Sequence, residues 1–573
     1  MKKILFLLLP LFLYSCEDVL DKKNLSAIDE SYVWDDPNMM ELNVNSFYSN
    51  WMPKGLFGSL YDLGIISDEA RSGYDGRAVK WINGARFTAD GTDVPCQVWY
   101  YGGIRKANEF LQGIEEKYIL PSNASQTKID ERNRFIGEVK FFRAHLYWEM
   151  VKVYGGVPVI TKVIDKDEKD PSILYPKRES TDSCFNFIIR ELKEAADMLP
   201  KTYSAEDWGR ITKGAALAYC ARVQLFRASP LFNTSNEEKY WQEAYNTYKD
   251  VIGLGVYDLH PVFSEIWKEK GESNKEIILF RDYMKGKITH GWDSANMMRS
   301  QAVGDAAACC PVQELVDAFP MIDGTPYIKT NPEIDPYSNR DPRLRETVVW
   351  NGDTYGPRKE KVYTYVSESN DPASPMYNFD GIDSHQSATS TGYYMRKMKD
   401  ESLDGQKGDY GYGFGSYTQW VEIRYAEVLL GLAEAANEIG LTEEGVEQIK
   451  LLRKRAGILP GKDNRYGIPA NISYDAFKEL VQNERYIELA FENKRYWDLR
   501  RWKLAHIKLS EQLHAMEIRK KINNDEVTYT YTRRLQRHDK SNKPIFREEF
   551  YFLPLPKDEL LKNKNLEQNE DWK

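Results

Sequence analysis

Residues 137–160 read GEVKFFRAHLYWEMVKVYGGVPVI, and this stretch decides the fold. Apolar side chains at 135–153 recur in steps of four, three, four, four and three, as they do along one side of a helix: Phe135, Val139, Phe142, Leu146, Met150 and Val153. Gly155 and Gly156 end the pattern, and Pro158 prevents the helix from resuming. The spacing therefore predicts one amphipathic helix over residues 134–154.

The same periodicity predicts more helices on both sides of this one. The expected ranges are 181–199, 210–229, 240–254, 422–439, 442–457 and 474–502. Small residues such as Gly214 and Ala218 let two helix backbones approach closely. Paired helices of this length indicate a mainly α fold, a loose tetratricopeptide-like scaffold of helical pairs.

Two long stretches, 51–101 and 255–415, lack helical periodicity and are rich in Gly, Asp, Asn, Tyr and Trp. Loops of this length in a compact protein are usually functional, so we expect them to carry the ligand site. The chain also has 37 Tyr, 23 Phe and 14 Trp among its 573 residues. Since tyrosine combines a ring with a polar tip, this excess suits a wet binding surface.

Charge and motifs exclude several functions. With 78 basic and 87 acidic side chains the formal charge is −9, without the basic stripe of a nucleic-acid-binding protein. No HExxH, GxSxG or phosphate-loop motif appears, so we expect no catalytic residues, no metal and no cofactor. The six cysteines form no CxxC pair, and those after Cys16 are expected to be small buried residues.

The first sixteen residues, MKKILFLLLPLFLYSC, predict an export signal over residues 1–15. Their apolar run of eleven residues, 4–14, is too short to cross a hydrocarbon core of roughly 30 Å. Residues 13–16 resemble a bacterial lipobox, in which Cys16 would be lipidated and would attach the protein to a membrane. An ordinary secretory signal with a chance cysteine is the alternative.

Seven blocks, in order along the chain, resemble the SusD/RagB family. They are GEVKFFRAHLYWEMVKVYGGVPVI (137–160), WGRITKGAALAYCARVQLF (208–226), NRDPRL (339–344), TGYYMRK (391–397), EIRYAEVLLGLAEAAN (422–437), NERYIELAFENKRYWDLRRW (483–502) and YFLPLPKDELLKNKNLEQN (551–569). The resemblance implies a single SusD-like unit over 16–573, with an N-terminal TPR-like half at about 17–255 and a loop-rich middle and C-terminal half at about 256–573.

The resemblance also implies a function. SusD/RagB proteins are cell-surface outer-membrane lipoproteins of Bacteroidetes that lie as a lid on a SusC-like TonB-dependent transporter. They capture glycans, or sometimes peptides, for import. We therefore expect a non-catalytic glycan-binding protein with such a transporter as its partner, and a peptide ligand as the alternative.

A surface glycoside hydrolase is a second alternative, because a carboxylate pair cannot be recognised in one sequence. The most prominent carboxylates, Glu484, Glu488 and Glu492, follow i, i+4 spacing on the helix predicted at 474–502. Arg485 and Arg495 lie close to them on the same helix, so we expect a structural ion-pair network there rather than catalysis.

The expected ligand residues lie in the irregular stretches. The C–H faces of sugars stack on flat aromatic rings, while their hydroxyls need polar neighbours. Exposed rings of Trp81 and Trp292 are the main candidates, with Tyr74, Arg77 and Asn296 as their neighbours. The alternative for each tryptophan is a buried role in anchoring its loop.

Overall fold

The computed structural model describes residues 30–53, 63–73, 77–92, 96–165, 167–302, 306–328, 334–409 and 415–573. The predicted signal at 1–15, the predicted lipidation site Cys16 and the candidate ligand residue Tyr74 lie outside these ranges. Predictions for those residues therefore stay predictions.

Helices dominate the described chain, which confirms the mainly α fold. They are α1 (Glu30–Asp35), α2 (Pro37–Trp51), α3 (Arg77–Ile82), α4 (Tyr101–Glu116), α5 (Gln126–Tyr154), α6 (Pro171–Leu174), α7 (Thr181–Met198), α8 (Lys213–Ala228), α9 (Glu238–Gly253), α10 (Trp292–Ala295), α11 (Gln313–Ala318), α12 (Pro342–Thr347), α13 (Tyr425–Glu438), α14 (Thr442–Ala456), α15 (Tyr474–Glu488), α16 (Arg495–Arg501), α17 (Ala505–Lys508), α18 (Arg537–Ser541) and α19 (Lys557–Lys562).

The longer helices form a continuous stack. In chain order α4 packs on α5, α5 on α7, α7 on α8, α8 on α9, α9 on α13, and α13 on both α14 and α15. Small residues allow the close crossings: a side chain at Gly431 would run into the ring of Tyr248, and one at Gly113 into the indole of Trp34. This packing of successive helical pairs is the predicted TPR-like scaffold.

In the described ranges the strands are two to ten residues long and form two-stranded pairs. They are β1 (Ala70–Arg71), β2 (Phe87–Thr88), β3 (Gly91–Thr92), β4 (Ile277–Arg281), β5 (Cys310–Pro311), β6 (Val348–Val349), β7 (Thr354–Tyr355), β8 (Glu360–Lys361), β9 (Tyr394–Met395), β10 (Trp420–Arg424), β11 (His514–Asn523) and β12 (Glu526–Leu535). All pairs are antiparallel: β1 with β5, β2 with β3, β4 with β10, β6 with β9, β7 with β8, and β11 with β12.

The prediction of one helix over 474–502 is wrong. α15 ends at Glu488, and α16 begins only at Arg495. Between them Phe491 and Asn493 take left-handed backbone angles, with φ of 64° and 57°. The Phe491 N–H donates to the Glu69 carboxylate at 2.9 Å, so a tertiary contact overrides the local helical pattern here.

One hydrophobic core runs through both halves of the chain, from Trp34 near its start to Trp572 near its end. It includes most of the large side chains of the stack, and a smaller cluster lies between α13, α14 and α15. The cysteines of the described chain are free and buried, as expected: Cys96, Cys184, Cys220, Cys309 and Cys310. The helical stack and its core leave the loops around α3, α10 and the β11–β12 hairpin to form the surface described next.

Candidate functional site

Trp81 and Trp292 are both buried, so the expectation of exposed rings at these positions is wrong. Trp292 is 0% exposed and Trp81 is 4% exposed, and both belong to the main hydrophobic core. Trp292 lies on the short helix α10, and Trp81 lies on the short helix α3. The tryptophans anchor these loops in the described conformation, and direct ligand contact by them stays a prediction.

The loop around Trp292 is closed by hydrogen bonds. The Trp292 N–H donates to Nδ1 of His290 at 3.2 Å, and Nε2 of the same imidazole lies 3.0 Å from the Thr418 carbonyl oxygen. Since Nδ1 accepts, the proton is on Nε2, and burial lowers the pKa of His290 to about 3. Asn296, the other candidate in this loop, is 2% exposed, and its side-chain amide donates to the Trp292 carbonyl oxygen at 3.1 Å.

Around Trp81 the structure does form a cavity, on the side of α3 opposite the buried indole. Its volume is about 770 Å³, and it is lined by Val79, Lys80, Asn83, Ala85, Arg86, Arg537, His538, Ser541 and Asn542. We call it the cationic cavity. Arg77 begins α3, but only its backbone is described, so a role for its side chain stays a prediction.

Two loops and α18 hold the wall of the cationic cavity in place. The backbone of β1 pairs with β5, and the Gly73 N–H donates to the Ala307 carbonyl oxygen at 2.9 Å. The carbonyl oxygen of Ser72 lies 2.9 Å from His538 Nε2, and that of Gly73 accepts from the Arg537 guanidinium. The wall is therefore a tertiary assembly of segments far apart in sequence.

The structure also shows an aromatic surface that is absent from the predictions above. Tyr363, Tyr365 and Tyr529 lie together, with ring centroids 5.9 Å apart for 363–365, 6.4 Å for 363–529 and 6.1 Å for 365–529. Tyr363 is 37% exposed and the other two rings are half-buried. We call these three residues the tyrosine patch.

The β11–β12 hairpin positions the tyrosine patch. Its two-residue turn, Asn524 and Asp525, has φ values of 49° and 68°, which suit the right-handed twist of the strands. Lys520 faces Tyr529 across the hairpin, and its ammonium group lies 5.4 Å from the ring centroid of Tyr365. The Val366 N–H donates to the Ile518 carbonyl oxygen at 2.8 Å, which brings residues 363–365 against the hairpin.

Chemically, the tyrosine patch offers ring faces and neutral hydroxyls. Burial raises the pKa of Tyr529 to about 12, so this phenol stays protonated at physiological pH. The Asn378 amide donates to the carbonyl oxygens of Tyr363 and Tyr365, at 3.0 and 2.8 Å, and so fixes the segment between their rings. A preformed aromatic surface with polar edges can bind the face of a sugar ring.

The glutamates of α15 do form a structural ion-pair network, but their partners are not those expected. Glu488 pairs with Arg343 at 2.7 Å, with Arg424 at 2.6 Å and with Arg455. Glu484 and Glu492 also pair with cations outside α15: Arg343, Arg453, Arg424 and Lys397.

The predicted partners instead bind other carboxylates. Arg485 pairs with Asp498 at 2.9 Å and Arg495 with Asp68 at 2.7 Å. For Arg495 the break explains the change, because α15 ends before Glu492 and α16 begins only at Arg495, so their helical i, i+3 spacing is lost.

This network cannot supply a general acid. Burial alone would raise the pKa of Glu488, but the guanidinium groups of Arg455 and Arg424 outweigh burial and hold that pKa well below its usual range. Acid catalysis of glycoside cleavage needs the opposite shift. His145 also has a structural role. Its side chain is buried, and its Nδ1 lies 2.6 Å from the Tyr219 hydroxyl.

No group of three or more His, Cys, Asp or Glu side chains in the described ranges is placed to hold a metal ion. Within the same ranges, no helix has both the length and the apolar character needed to cross a membrane.

The fold and surface define a class: a helical-stack protein with polar and aromatic surfaces on its loops. The chain belongs to the SusD family, whose model matches residues 275–572, more than half of the chain. A second family model, described as "Starch-binding associating with outer membrane", matches residues 78–225. The predicted family is therefore confirmed.

Individual proteins show the same likeness over nearly the whole chain. SusD-like protein P2 of Formosa agariphila is 26% identical over 99% of this chain and 98% of its own. A SusD-like crystal structure from Bacteroides fragilis has a TM-score of 0.72 and 26% identity, covering 95% of this chain and 98% of that one. A SusD-like carbohydrate-binding protein of the same species has a TM-score of 0.72 and 24% identity, covering 93% and 99%.

Proposed function

We propose that this protein is a cell-surface outer-membrane lipoprotein that binds glycans and delivers them to a SusC-like TonB-dependent transporter, without cleaving them. The observation that carries the proposal is the tyrosine patch, a preformed aromatic surface on the scaffold of a SusD-family protein. Its rings lie within 6.4 Å of one another and Tyr363 is open to solvent. Membership of the family and the match to a starch-binding family model support the same ligand class.

Tyrosine suits glycan capture better than a purely apolar ring would. The ring covers the C–H face of a sugar, while the hydroxyl stays in contact with water or with sugar hydroxyls. A peptide ligand would also use such rings.

The membrane part of the proposal rests on the start of the chain. Lipidation of Cys16 after removal of residues 1–15 would hold the protein at the outer membrane by its acyl chains alone. A protein anchored in this way cannot conduct solutes itself, so a channel-forming partner is required. Mass spectrometry of the N-terminal peptide and co-purification with a TonB-dependent transporter test these two points separately.

Binding without catalysis is tested by incubating the protein with the oligosaccharides that it binds. We expect no new reducing ends. Glu488, the most heavily ion-paired of the prominent carboxylates, has a lowered pKa, which is the opposite of what a general acid needs. Release of reducing ends would favour the glycoside hydrolase instead.

A glycan array probed with residues 17–573 tests the proposal as a whole. We expect binding to at least one oligosaccharide and loss of signal in a Tyr363→Ala/Tyr529→Ala variant. Tyr175→Ala is the matched control, because this tyrosine is 44% exposed but follows α6 on the scaffold. Binding to a peptide library, with no signal on the glycan array, would mean that the ligand is a peptide and not a glycan.

A further inference from the structure

The aromatic surface continues beyond the tyrosine patch along strand β12. Because alternate residues of a strand face the same way, Tyr531 lies on the same face as Tyr529, with the two Cα atoms about 7 Å apart. The ring centroid of Tyr531 lies 5.8 Å from that of Tyr337, and the Tyr337 ring stacks on the Trp350 indole at 4.9 Å and 17°. A row of rings therefore leads from the patch to Trp350. We call Tyr531 and Trp350 the distal rings.

Backbone contacts also bring Trp350 close to the patch. The chain doubles back after this residue, and the Gly352 N–H donates to the Val362 carbonyl oxygen at 2.7 Å. One residue further along each segment, the Thr364 N–H donates to the side-chain oxygen of Asn351 at 3.0 Å. These bonds place Trp350 against the segment that carries two of the three rings of the patch.

The distal rings keep part of their surface in solvent and are fixed from below. Both are half-buried, whereas Tyr337 between them is buried. The Tyr337 hydroxyl donates to the Tyr393 hydroxyl at 3.2 Å, and the Tyr393 hydroxyl donates to the side-chain oxygen of Gln313 at 2.7 Å. Because these contacts hold the rings in place, little side-chain freedom is lost when a ligand binds.

Polar groups accompany the distal rings. Burial and the nearby carboxylate of Asp335 raise the pKa of Tyr531 to about 12, so its hydroxyl stays neutral at physiological pH. Asp335 accepts from the Tyr337 N–H at 2.9 Å and from the Ser338 hydroxyl at 2.7 Å, and both Asp335 and Ser338 are exposed. Carboxylate and hydroxyl groups of this kind form hydrogen bonds with sugar hydroxyls, while the rings cover C–H faces.

We propose that the ligand is a linear oligosaccharide whose successive sugar units contact the tyrosine patch and the distal rings, with Trp350 as the residue that makes affinity depend on chain length. This inference rests on the proposed glycan-binding function and names the form of the glycan. A monosaccharide or a single terminal sugar would contact only one part of the row. A longer chain would contact both parts at once, and the second contact would be intramolecular.

The test is calorimetry with ladders of linear oligosaccharides, from two to eight sugar units, prepared from each polysaccharide that binds the parent on the array. Trp350→Leu removes the flat ring but keeps an apolar contact with Tyr337, and Trp350→Tyr restores a ring. Trp99→Leu is the matched control, because this tryptophan is also half-buried and packs on an aromatic neighbour, Tyr101 at 5.0 Å, on the scaffold. Melting temperatures of all proteins check folding.

We expect the affinity of the parent to rise at least tenfold from the shortest to the longest oligosaccharides and then to level off. Trp350→Leu should bind long chains only as tightly as short ones, with its affinity for short chains unchanged. Trp350→Tyr should recover most of the length dependence, and Trp99→Leu should behave like the parent. In the parent, hydrogen exchange over residues 334–351 should slow with long chains but not with short ones, a measurement that needs no variant.

An affinity of the parent that does not change with chain length would overturn this inference and leave the proposed function standing. Loss of the same factor for short and long chains in Trp350→Leu would also overturn it, since Trp350 would then act only by supporting the patch. Exchange over 334–351 that responds equally to short and long chains would count against it in the same way. Failure of every polysaccharide and oligosaccharide to bind the parent would remove the proposed function, and this inference with it.

Discussion

Charged groups of the same residue types differ in burial between the helical scaffold and the cationic cavity. In the scaffold Glu484, Glu488 and Glu492 are buried and each contacts at least two cations. Among the cavity-lining residues that the structure describes, Lys80 is exposed and Arg86 and Arg537 are half-buried. Removing a buried paired charge should therefore cost far more stability than removing a charge at an accessible wall.

The largest change in stability is expected when the central carboxylate charge of the scaffold, that of Glu488, is removed. We expect Glu488→Gln to lower the free energy of unfolding by about 3 to 5 kcal/mol, because three buried arginines lose their shared partner. Urea denaturation measures this change. In the control Glu447→Gln, which breaks a surface pair with Lys450, the change should stay within about 0.5 kcal/mol. Equal effects of the two substitutions would refute the contrast.

Two further substitutions compare the contributions of a buried ring and an exposed ring of the loop region to stability. Trp292→Ala should cost about 3 to 5 kcal/mol, because it leaves a cavity where a fully buried indole stood. Tyr363→Ala should cost about 1 kcal/mol or less, since that ring is 37% exposed. Thermal and urea unfolding of both variants tests the distinction between a loop anchor and a binding residue. A larger loss of stability for Tyr363→Ala than for Trp292→Ala would contradict it.

The anchored part of the loop region should also respond to pH. The pKa of His290 is lowered to about 3 by burial, so in the folded state the imidazole stays neutral below its ordinary pKa of about 6.5. The unfolded chain binds a proton there and the folded chain does not, so stability falls as the pH drops below about 6.5. The decrease from this group approaches roughly 1.4 kcal/mol per pH unit.

The measurement is the free energy of unfolding between pH 4 and pH 8 for the parent and for His290→Asn. Asp293, whose pKa burial raises to about 6, contributes the opposite slope in both proteins, so the difference between them isolates the histidine. The two slopes should differ below pH 6.5 and coincide above pH 7. Parallel curves over the whole range would mean that His290 is protonated in the folded protein.

The smallest expected effect on stability belongs to the cationic cavity. Lys80→Gln and Arg86→Gln should each change the free energy of unfolding by no more than about 0.5 kcal/mol, because neither cation is buried in the core. Urea denaturation of the two single variants checks this. A loss of several kcal/mol would place these residues with the scaffold.

The helical scaffold could be predicted from the sequence because it depends on a local period. The stripe from Phe135 to Val153 lies within α5, which extends it at the N-terminal end to Gln126. The break between α15 and α16 could not be predicted, since it depends on a contact of Phe491 with Glu69, more than 400 residues away. Contacts of this kind produce no periodic pattern in the sequence.

The candidate site was predictable only in part of its region and not in its residues. Tyr363 and Tyr365 lie in a predicted irregular stretch, whereas Tyr529 lies on the β11–β12 hairpin outside both stretches. Position in an irregular stretch does not say whether a ring faces the core, and Trp81 and Trp292 both do. One available signal was missed. Residues 528–532 read Thr-Tyr-Thr-Tyr-Thr and follow the turn residues Asn524 and Asp525. This alternation after a turn indicates a hairpin with its tyrosines on one face. The proximity of 363–365 to that hairpin is tertiary and could not have been found.

The central claim is that glycan binding belongs to the loop surface and not to the scaffold. Titration calorimetry of the best array oligosaccharide into the parent, Tyr363→Ala/Tyr529→Ala and Tyr175→Ala tests it most directly. We predict that the double variant loses about tenfold or more in affinity at an almost unchanged melting temperature, and that the control binds like the parent. Unchanged affinity of the double variant for every oligosaccharide that the parent binds would contradict the claim.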